Sequence, residues 1–218
     1  MLTHEFSIIA LTETWLKDNK DEIPELQGYK TLSQNRREKD GGGIALFIKD
    51  HIMFKIRTDL NAIKINQDTS EILFIEVTCR HSPNIIVGVI YRPPDNNYNQ
   101  FEQSLNNILQ QLDKEKKPCY LMGDFNLDLL KHEKSEFPTR FFNQLSSSDF
   151  VPLITKPTRL TSHTATLIDN MFCNRPNFSQ IADILFNDLS DHLPIFHICT
   201  NDENTNPRKT RQTYTIQN

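Results

Sequence analysis

The chain has 218 residues and a formal net charge of −4, with 24 lysine and arginine residues against 28 aspartate and glutamate residues. Hydrophobic residues make up 37% and charged residues 24%, which excludes a fully disordered chain and a collagen-like repeat. The mildly acidic balance argues against a protein that holds nucleic acid mainly by bulk positive charge. It is compatible with an enzyme that contacts nucleic acid locally and carries a carboxylate cluster.

Short apolar runs, rich in β-branched and aromatic residues, predict a series of β-strands. Each run is bounded by Gly, Pro, Asn or Asp, and several are apolar at nearly every position, as in strands buried on both faces. In chain order they cover residues 7–11, 43–48, 72–77, 85–91, 120–122, 167–172 and 193–198.

Helical periodicity occurs in two places between these strands. In the segment FEQSLNNILQQL one helical face carries Phe101, Leu105, Ile108, Leu109 and Leu112. A shorter helix is predicted over 138–146, with Pro138 in its first turn, a position that tolerates proline. Strands with occasional intervening helices predict a mixed α/β domain built of stacked layers.

Residues 1–200 are predicted to form one domain, and 201–218 a polar tail or linker, because this last segment is nearly free of aliphatic side chains. The apolar runs are far shorter than the about 20 residues needed to cross a bilayer. The N-terminus also lacks the basic start of a signal peptide. We therefore expect an intracellular protein with no membrane partner, in either the nucleus or the cytoplasm.

Oxygen and imidazole donors follow or precede several predicted strands. They are Glu13, Asp124, Asn126, Asp169, Asp191 and His192. Each one alone is more typical of a turn or helix cap than of a site. Gathered at one edge, however, they would bind a hard divalent cation such as Mg²⁺ and supply a histidine for proton or phosphate chemistry. Such a set suits hydrolysis of a phosphodiester.

Six motifs occur in a diagnostic order: LTETWL, GGGIALFI, VIYRPP, LMGDFNLD, PTRLTSHTATLIDNMF and LSDHLPIF. With them the chain resembles the endonuclease/exonuclease/phosphatase superfamily over about residues 7–199. Within it, the chain is most similar to the apurinic/apyrimidinic-type endonuclease domain of non-LTR (LINE-type) retrotransposons. The resemblance implies a four-layer α/β sandwich, with two mixed β-sheets packed face to face and helices outside.

The resemblance also implies catalytic roles for five residues. Asp124 of GDFN would activate the attacking water, and Asn126 would hold a phosphoryl oxygen. Tyr91 of IYRP would hydrogen-bond near the scissile phosphate. His192 of SDH would contact the phosphate, and Asp169 of LID would orient His192.

The metal site implied by the resemblance uses Glu13 of LTET and Asp191 of SDH, with Mg²⁺ or Mn²⁺ as the cofactor. The family begins with a further strand whose asparagine helps to position metal and phosphate. No residue of this chain matches that asparagine, because Met1 lies only about one helical turn before the LTET strand. We therefore expect an N-terminally truncated copy of the domain.

The implied partners are a target DNA duplex and, in an intact element, a reverse transcriptase domain. Basic residues near the motif loops, such as Arg92 and Arg159, are the expected DNA contacts. Thr158 or Thr161 corresponds to the family's DNA-contacting threonine, and the local spacing fits both.

The function predicted from the sequence is that of a Mg²⁺-dependent phosphodiesterase that nicks target DNA for a retrotransposon. Two alternatives stand beside it. One is a degenerate, catalytically weak remnant of that domain, and the other is a phosphatase-type relative that acts on a small phosphoester.

Overall fold

The computed structural model describes residues 5–16, 23–35, 41–63, 71–94, 97–176, 180–187 and 190–199. The strands are β1 (Ile8–Thr12), β2 (Tyr29–Gln34), β3 (Ile44–Lys49), β4 (Phe54–Ile56), β5 (Glu71–Val77), β6 (Ile85–Tyr91), β7 (Cys119–Asp124), β8 (Val151–Pro152), β9 (Arg159–Leu160), β10 (Ala165–Thr166), β11 (Asp169–Cys173), β12 (Gln180–Ile184) and β13 (Ile195–Cys199). The helices are α1 (Thr58–Asn61), α2 (Tyr98–Glu115) and α3 (Glu136–Ser146), with a 3₁₀ turn at Leu129–Lys131.

A six-stranded mixed sheet in the order β4-β5-β6-β7-β11-β8 forms the centre of the domain. Its β6–β7 pair is parallel and its other pairs are antiparallel. Helix α2 connects the parallel pair, as a crossover between parallel strands requires. A second sheet has the order β1-β3-β2, and β9–β10 and β12–β13 form separate two-stranded pairs.

The two larger sheets pack face to face through a core of aliphatic side chains. The small sheet contributes Ile44, Leu46 and Ile48 of β3, and the six-stranded sheet contributes residues of β5 and β6, among them Ile75 and Val89. On the opposite face of the large sheet lies a second core formed with α2 and α3. This arrangement confirms the predicted α/β sandwich, although no helix outside the small sheet is found within the described ranges.

Six of the described strands have no counterpart among the sequence predictions. Four of them, β4, β8, β9 and β10, have only two or three residues, and the two longer ones are Tyr29–Gln34 and Gln180–Ile184. These two are mostly only partly buried and are interrupted by polar residues, so they lack the uninterrupted apolar run of the buried strands. The predicted tail 201–218 lies outside the described residues. Within the described part of the chain, no helix combines the length and the apolarity that crossing a bilayer demands.

Gly123 allows β6 and β7 to approach closely at the level of the candidate site. Its φ is +145°, and a Cβ placed there would lie 1.8 Å from the carbonyl oxygen of Ile90. Only glycine adopts this backbone conformation without strain, and only glycine leaves room for that carbonyl.

We predict that Gly123→Ala lowers the free energy of unfolding by at least about 2 kcal/mol, because strain and a backbone clash add. Gly28→Ala is the matched control, since Gly28 also has a positive φ, +81°, but nothing lies within 4 Å of its added Cβ. The free energy of unfolding of that variant should fall by only about 1–2 kcal/mol, the cost of a left-handed backbone conformation for alanine. Urea denaturation of the two variants measures both values, and an equal loss would contradict the close-approach argument.

Candidate active site

One level of the large sheet holds three of the predicted site residues side by side. Tyr91 of β6 is in register with Asp124 of β7, and Asp124 is in register with Asp169 of β11. We call this set the Tyr91–Asp124–Asp169 row. The Arg92 amide donates to the Asp124 carbonyl at 2.9 Å, so hydrogen bonding continues past the end of β6.

His192 joins the row from a loop outside the sheet. That loop is held by a bridge between His192 and Arg159 and by the Leu193 amide, which donates to the Thr158 carbonyl at 2.7 Å. Nδ1 of His192 donates to both carboxylate oxygens of Asp169 at 3.1 Å. One ligand atom each from Asp124, Asp169 and His192 lies within 4.8 Å of the others. We call these three residues the Asp–His cluster.

The electrostatics of the Asp–His cluster favour proton exchange near neutral pH. Burial and the neighbouring Asp169 carboxylate raise the pKa of Asp124 to about 7. The hydrogen bond to Asp169 raises the pKa of His192 against the opposing effect of its own burial. An imidazole with a raised pKa and a carboxyl group that titrates near pH 7 therefore lie side by side.

Asn126 fixes the orientation of the Asp124 carboxylate. Its backbone amide donates to Oδ1 at 2.9 Å, and its side-chain amide donates to Oδ2 at 3.2 Å. The same side chain donates to the Arg92 carbonyl at 2.9 Å. The φ of Asn126 is +48°, a left-handed conformation that asparagine tolerates better than most residues.

Glu13 lies at the end of β1, beside the row rather than within the Asp–His cluster. One of its carboxylate oxygens accepts from the Tyr91 hydroxyl, and the other accepts from Nε1 of Trp15 at 2.8 Å. The charge of Glu13 also contributes to the raised pKa of Asp124, so the two carboxylates are close neighbours.

Asp191 also lies outside the Asp–His cluster, although it directly precedes His192. Its Oδ2 accepts from Nε of Arg159 at 2.8 Å. This bond lowers the pKa of Asp191. Both side chains of this pair are partly exposed, 42% for Arg159 and 44% for Asp191.

Two of the expected DNA contacts, Arg92 and Thr158, have buried side chains. Arg92 is 3% exposed and donates to the Phe125 and Asn126 carbonyls. Thr158 is fully buried, and its hydroxyl accepts from the amides of Ile168 and Asp169. Both side chains therefore support the backbone around the site, whereas Arg159 remains at the surface.

Asp128, which the sequence suggests is an ordinary loop carboxylate, connects two parts of the site. Its Oδ1 accepts from the Leu130 amide at 3.3 Å and from the Leu167 amide at 3.1 Å. It thereby joins the loop after β7 to the segment that enters β11. An aspartate directly before a helical turn is a common N-cap and indicates the first bond, but no sequence signal indicates the second.

The donor set of the Asp–His cluster fits a divalent cation. Two carboxylates and an imidazole are ordinary ligands of Mn²⁺, and the carboxylates alone suit Mg²⁺. The two carboxylates also repel each other. A bound cation would offset both this repulsion and the cost of burying the charged form of Asp124. Glu13 stands close enough to add a third carboxylate to this negative field.

The two-sheet sandwich and the Asp–His cluster at the strand ends agree with a family of hydrolases that act on phosphoesters. The chain belongs to the Endonuclease/Exonuclease/phosphatase family, whose model matches residues 2–192. No curated protein matches the chain in sequence.

Solved structures similar to this chain include three nucleic-acid enzymes. The endonuclease domain of TRAS1, a telomere-specific non-LTR retrotransposon, has 15% identity and a TM-score of 0.64, with 88% of this chain and 85% of that chain covered. An AP endonuclease from Archaeoglobus fulgidus has 18% identity and a TM-score of 0.60, with 88% of both chains covered. The 3′ phosphatase NExo from Neisseria, bound to a product DNA hairpin, has 13% identity and a TM-score of 0.57, with 88% and 87% covered. At these identities the likeness shows a shared fold.

We predict that Mn²⁺ or Mg²⁺ in excess raises the melting temperature of the chain by about 2–5 °C, because a ligand that binds only the folded state stabilises it. Asp124→Asn and Asp169→Asn should each remove most of this shift, since each deletes one charge of the cluster. Asp128→Asn removes one negative charge outside the Asp–His cluster, so the metal-induced shift in melting temperature should remain. Thermal melting with and without EDTA measures the shifts, and a shift that survives in Asp124→Asn and Asp169→Asn would place the cation elsewhere.

Proposed function

We propose that this chain is a divalent-metal-dependent phosphodiesterase that nicks DNA, the endonuclease domain of a non-LTR retrotransposon. The Asp–His cluster is the single observation that carries the proposal. It combines a carboxyl group that titrates near pH 7, an imidazole held by a second carboxylate, and a donor set suited to a cation. These are the components that phosphodiester hydrolysis requires.

Asp124 is the proposed general base. A group with a pKa near 7 is present in its basic form at neutral pH and still accepts a proton readily. The two donations from Asn126 hold the carboxylate in one orientation. A water attacking the phosphorus would pass its proton to Asp124 as the bond between phosphorus and the 3′ oxygen breaks. The phosphate stays on the 5′ end of one fragment, and the departing 3′ oxygen takes up a proton from solvent to become a 3′-hydroxyl. Asn126 also remains the proposed ligand of a phosphoryl oxygen.

His192 is the proposed phosphate contact, with Asp169 as the residue that positions it. Because Nδ1 is occupied by Asp169, only Nε2 remains to donate to a phosphoryl oxygen. The hydrogen bond to Asp169 raises the pKa of His192, which favours the protonated imidazole and thus an anionic partner. Tyr91 is the proposed hydrogen-bond donor beside the scissile phosphate.

A bound divalent cation would neutralise negative charge on the phosphate as the water attacks. Glu13 and Asp191 are the metal ligands proposed from the sequence, and the Asp–His cluster supplies further carboxylates nearby. Glu13 adjoins the Tyr91–Asp124–Asp169 row, because its carboxylate accepts from the Tyr91 hydroxyl. Asp191 would have to exchange its bond with Arg159 for the metal.

DNA is the proposed substrate, supported by the retrotransposon endonuclease and the hairpin-bound phosphatase among the similar structures. Residues 1–200 are proposed to form the endonuclease domain and 201–218 a linker, toward a reverse transcriptase in an intact element. There the nick would expose a 3′-hydroxyl that primes reverse transcription. A small phosphoester is the alternative substrate, because the family also includes phosphatases.

We expect the purified chain to nick supercoiled plasmid in Mg²⁺ or Mn²⁺ and to lose this activity in EDTA. Asp124→Asn and His192→Ala should each reduce the rate by about 100-fold or more, which is the usual contribution of a general base or acid. Asp128→Asn, with the same change of charge as Asp124→Asn, should retain it. Equal loss in all three variants would indicate general unfolding. No nicking by the wild-type chain with either metal, or full activity in Asp124→Asn, would refute the proposal.

Binding to random duplex DNA should be weak and strongly dependent on salt, because the chain carries a net charge of −4 and holds phosphates only through local basic residues. With about two phosphate contacts, affinity should fall about tenfold between about 50 and about 200 mM salt. Arg159→Ala should reduce this dependence, whereas Arg92 is too deeply buried to contribute. Fluorescence anisotropy of a labelled duplex measures the dissociation constant at each salt concentration. A submicromolar, salt-insensitive dissociation constant would contradict the expectation.

A further inference from the structure

Trp15 is the one tryptophan of the chain, and it has no role in the chemistry proposed above. Its side chain is 63% exposed, although it follows Glu13 by only two residues. A single exposed apolar side chain is common on protein surfaces and needs no explanation by itself. What sets Trp15 apart is how it is held and what it lies beside.

The backbone around Trp15 is fixed in an uncommon conformation. Glu13 has a φ of +55° and Trp15 a φ of +58°, both in the left-handed region that non-glycine residues seldom adopt. The Trp15 amide donates to the Gly42 carbonyl at 2.8 Å, and the Thr14 amide donates to the Gly43 carbonyl at 3.2 Å. These bonds offset the conformational strain and hold the indole in place.

The indole ring is fixed on one side and open on the other. The backbone of Gly41 lies against it, since a Cβ built on that glycine would be 3.7 Å from the nearest ring atom. Nε1 donates to Oε2 of Glu13 at 2.8 Å. With its polar atom already paired, the exposed remainder of the ring offers an aromatic surface for stacking.

This surface lies next to the candidate active site. Glu13 joins Trp15 to Tyr91, whose hydroxyl donates to the second carboxylate oxygen of Glu13. Tyr91 is in turn in register with Asp124. Two hydrogen bonds therefore connect the indole to the Tyr91–Asp124–Asp169 row, so a strand bound at the row passes close to Trp15.

We propose that Trp15 stacks on an unpaired nucleobase of the DNA strand bound at the candidate active site. This inference rests on the proposed DNA endonuclease function and names its preferred form of substrate. In a duplex the faces of the bases are already stacked on one another, so an aromatic side chain gains most from a base at an end, a gap or a single-stranded stretch. Trp15 thus makes the site prefer distorted or single-stranded DNA over regular duplex.

The sole tryptophan makes the test direct, because its fluorescence reports on one position. The chain is titrated, in EDTA to prevent cleavage, with a short single-stranded oligonucleotide, with the matching duplex, and with an abasic strand of the same length. Stacking predicts saturable quenching by the single strand, less by the duplex, and almost none by the abasic strand. The abasic strand has the same phosphates, so it separates base stacking from backbone binding.

Three variants complete the test through the affinity for a labelled single strand. Trp15→Ala should weaken binding about tenfold, a usual effect of losing one stacked base. Trp15→Phe keeps an aromatic ring but has no N–H, and its affinity for the strand should fall clearly less than that of Trp15→Ala. Met53→Ala is the control, because Met53 is 67% exposed and adjoins β4 at the end of β5 remote from the row.

The outcomes separate this inference from the function on which it rests. Binding and nicking without tryptophan quenching, or equal quenching by the abasic strand, would overturn the stacking role alone. Equal loss in Trp15→Ala and Trp15→Phe would overturn it as well, because the bond to Glu13 would then explain the effect. A chain that neither binds nor nicks any DNA would overturn the proposed function and this inference together.

Discussion

Hydrogen bonding across β6, β7 and β11 fixes the candidate site, because it sets Tyr91, Asp124 and Asp169 at one level of the sheet. Side chains alternate between the faces of a strand, so a slip of one residue would move Asp124 to the opposite face. Gly123 belongs to this constraint, since its missing side chain lets the Ile90 carbonyl approach. The loops that carry Asn126 and His192 are then attached to a frame whose register is already determined.

Buried polar side chains attach those loops to the frame. Arg92 donates to carbonyl groups of the loop after β7, and the Thr158 hydroxyl accepts from amides at the start of β11. Asp128 links the loop after β7 to the segment before β11. Buried backbone groups need such partners, because leaving one unsatisfied costs about 1–3 kcal/mol. Buried side chains with no direct role in the proposed chemistry therefore hold the loops of the candidate site in place.

The sequence indicates the strands of the sandwich wherever burial on both faces leaves an uninterrupted apolar run, as in β3, β5 and β6. It does not indicate Tyr29–Gln34 or Gln180–Ile184, because a partly exposed strand keeps polar residues and has no distinctive run. The order of the motifs indicates the family, since the residues that carry the chemistry follow strand ends in a set sequence.

Side-chain partners are the part of the site that the sequence does not specify. From the sequence we expect Arg92 to contact DNA. In the structure its guanidinium donates instead to two backbone carbonyls of the loop after β7. Asp191 pairs with Arg159 across a bridge that joins distant segments. The left-handed backbone of Trp15 likewise depends on carbonyls of a distant glycine run, so the placement of the indole follows only from the tertiary structure.

The parallel pairing of β6 with β7 joins two strands that a whole helix separates in sequence. β5 and β6 are neighbours in sequence and pair antiparallel, so they can meet early, through a short loop closure. β7 reaches β6 only after α2 has crossed the sheet, and β11 reaches β7 only after α3 has been placed. Contacts between such distant segments form slowly. We therefore expect Asp124 and Asp169 to come together late in folding, so a chain in which only β5 and β6 have paired would still lack the candidate site.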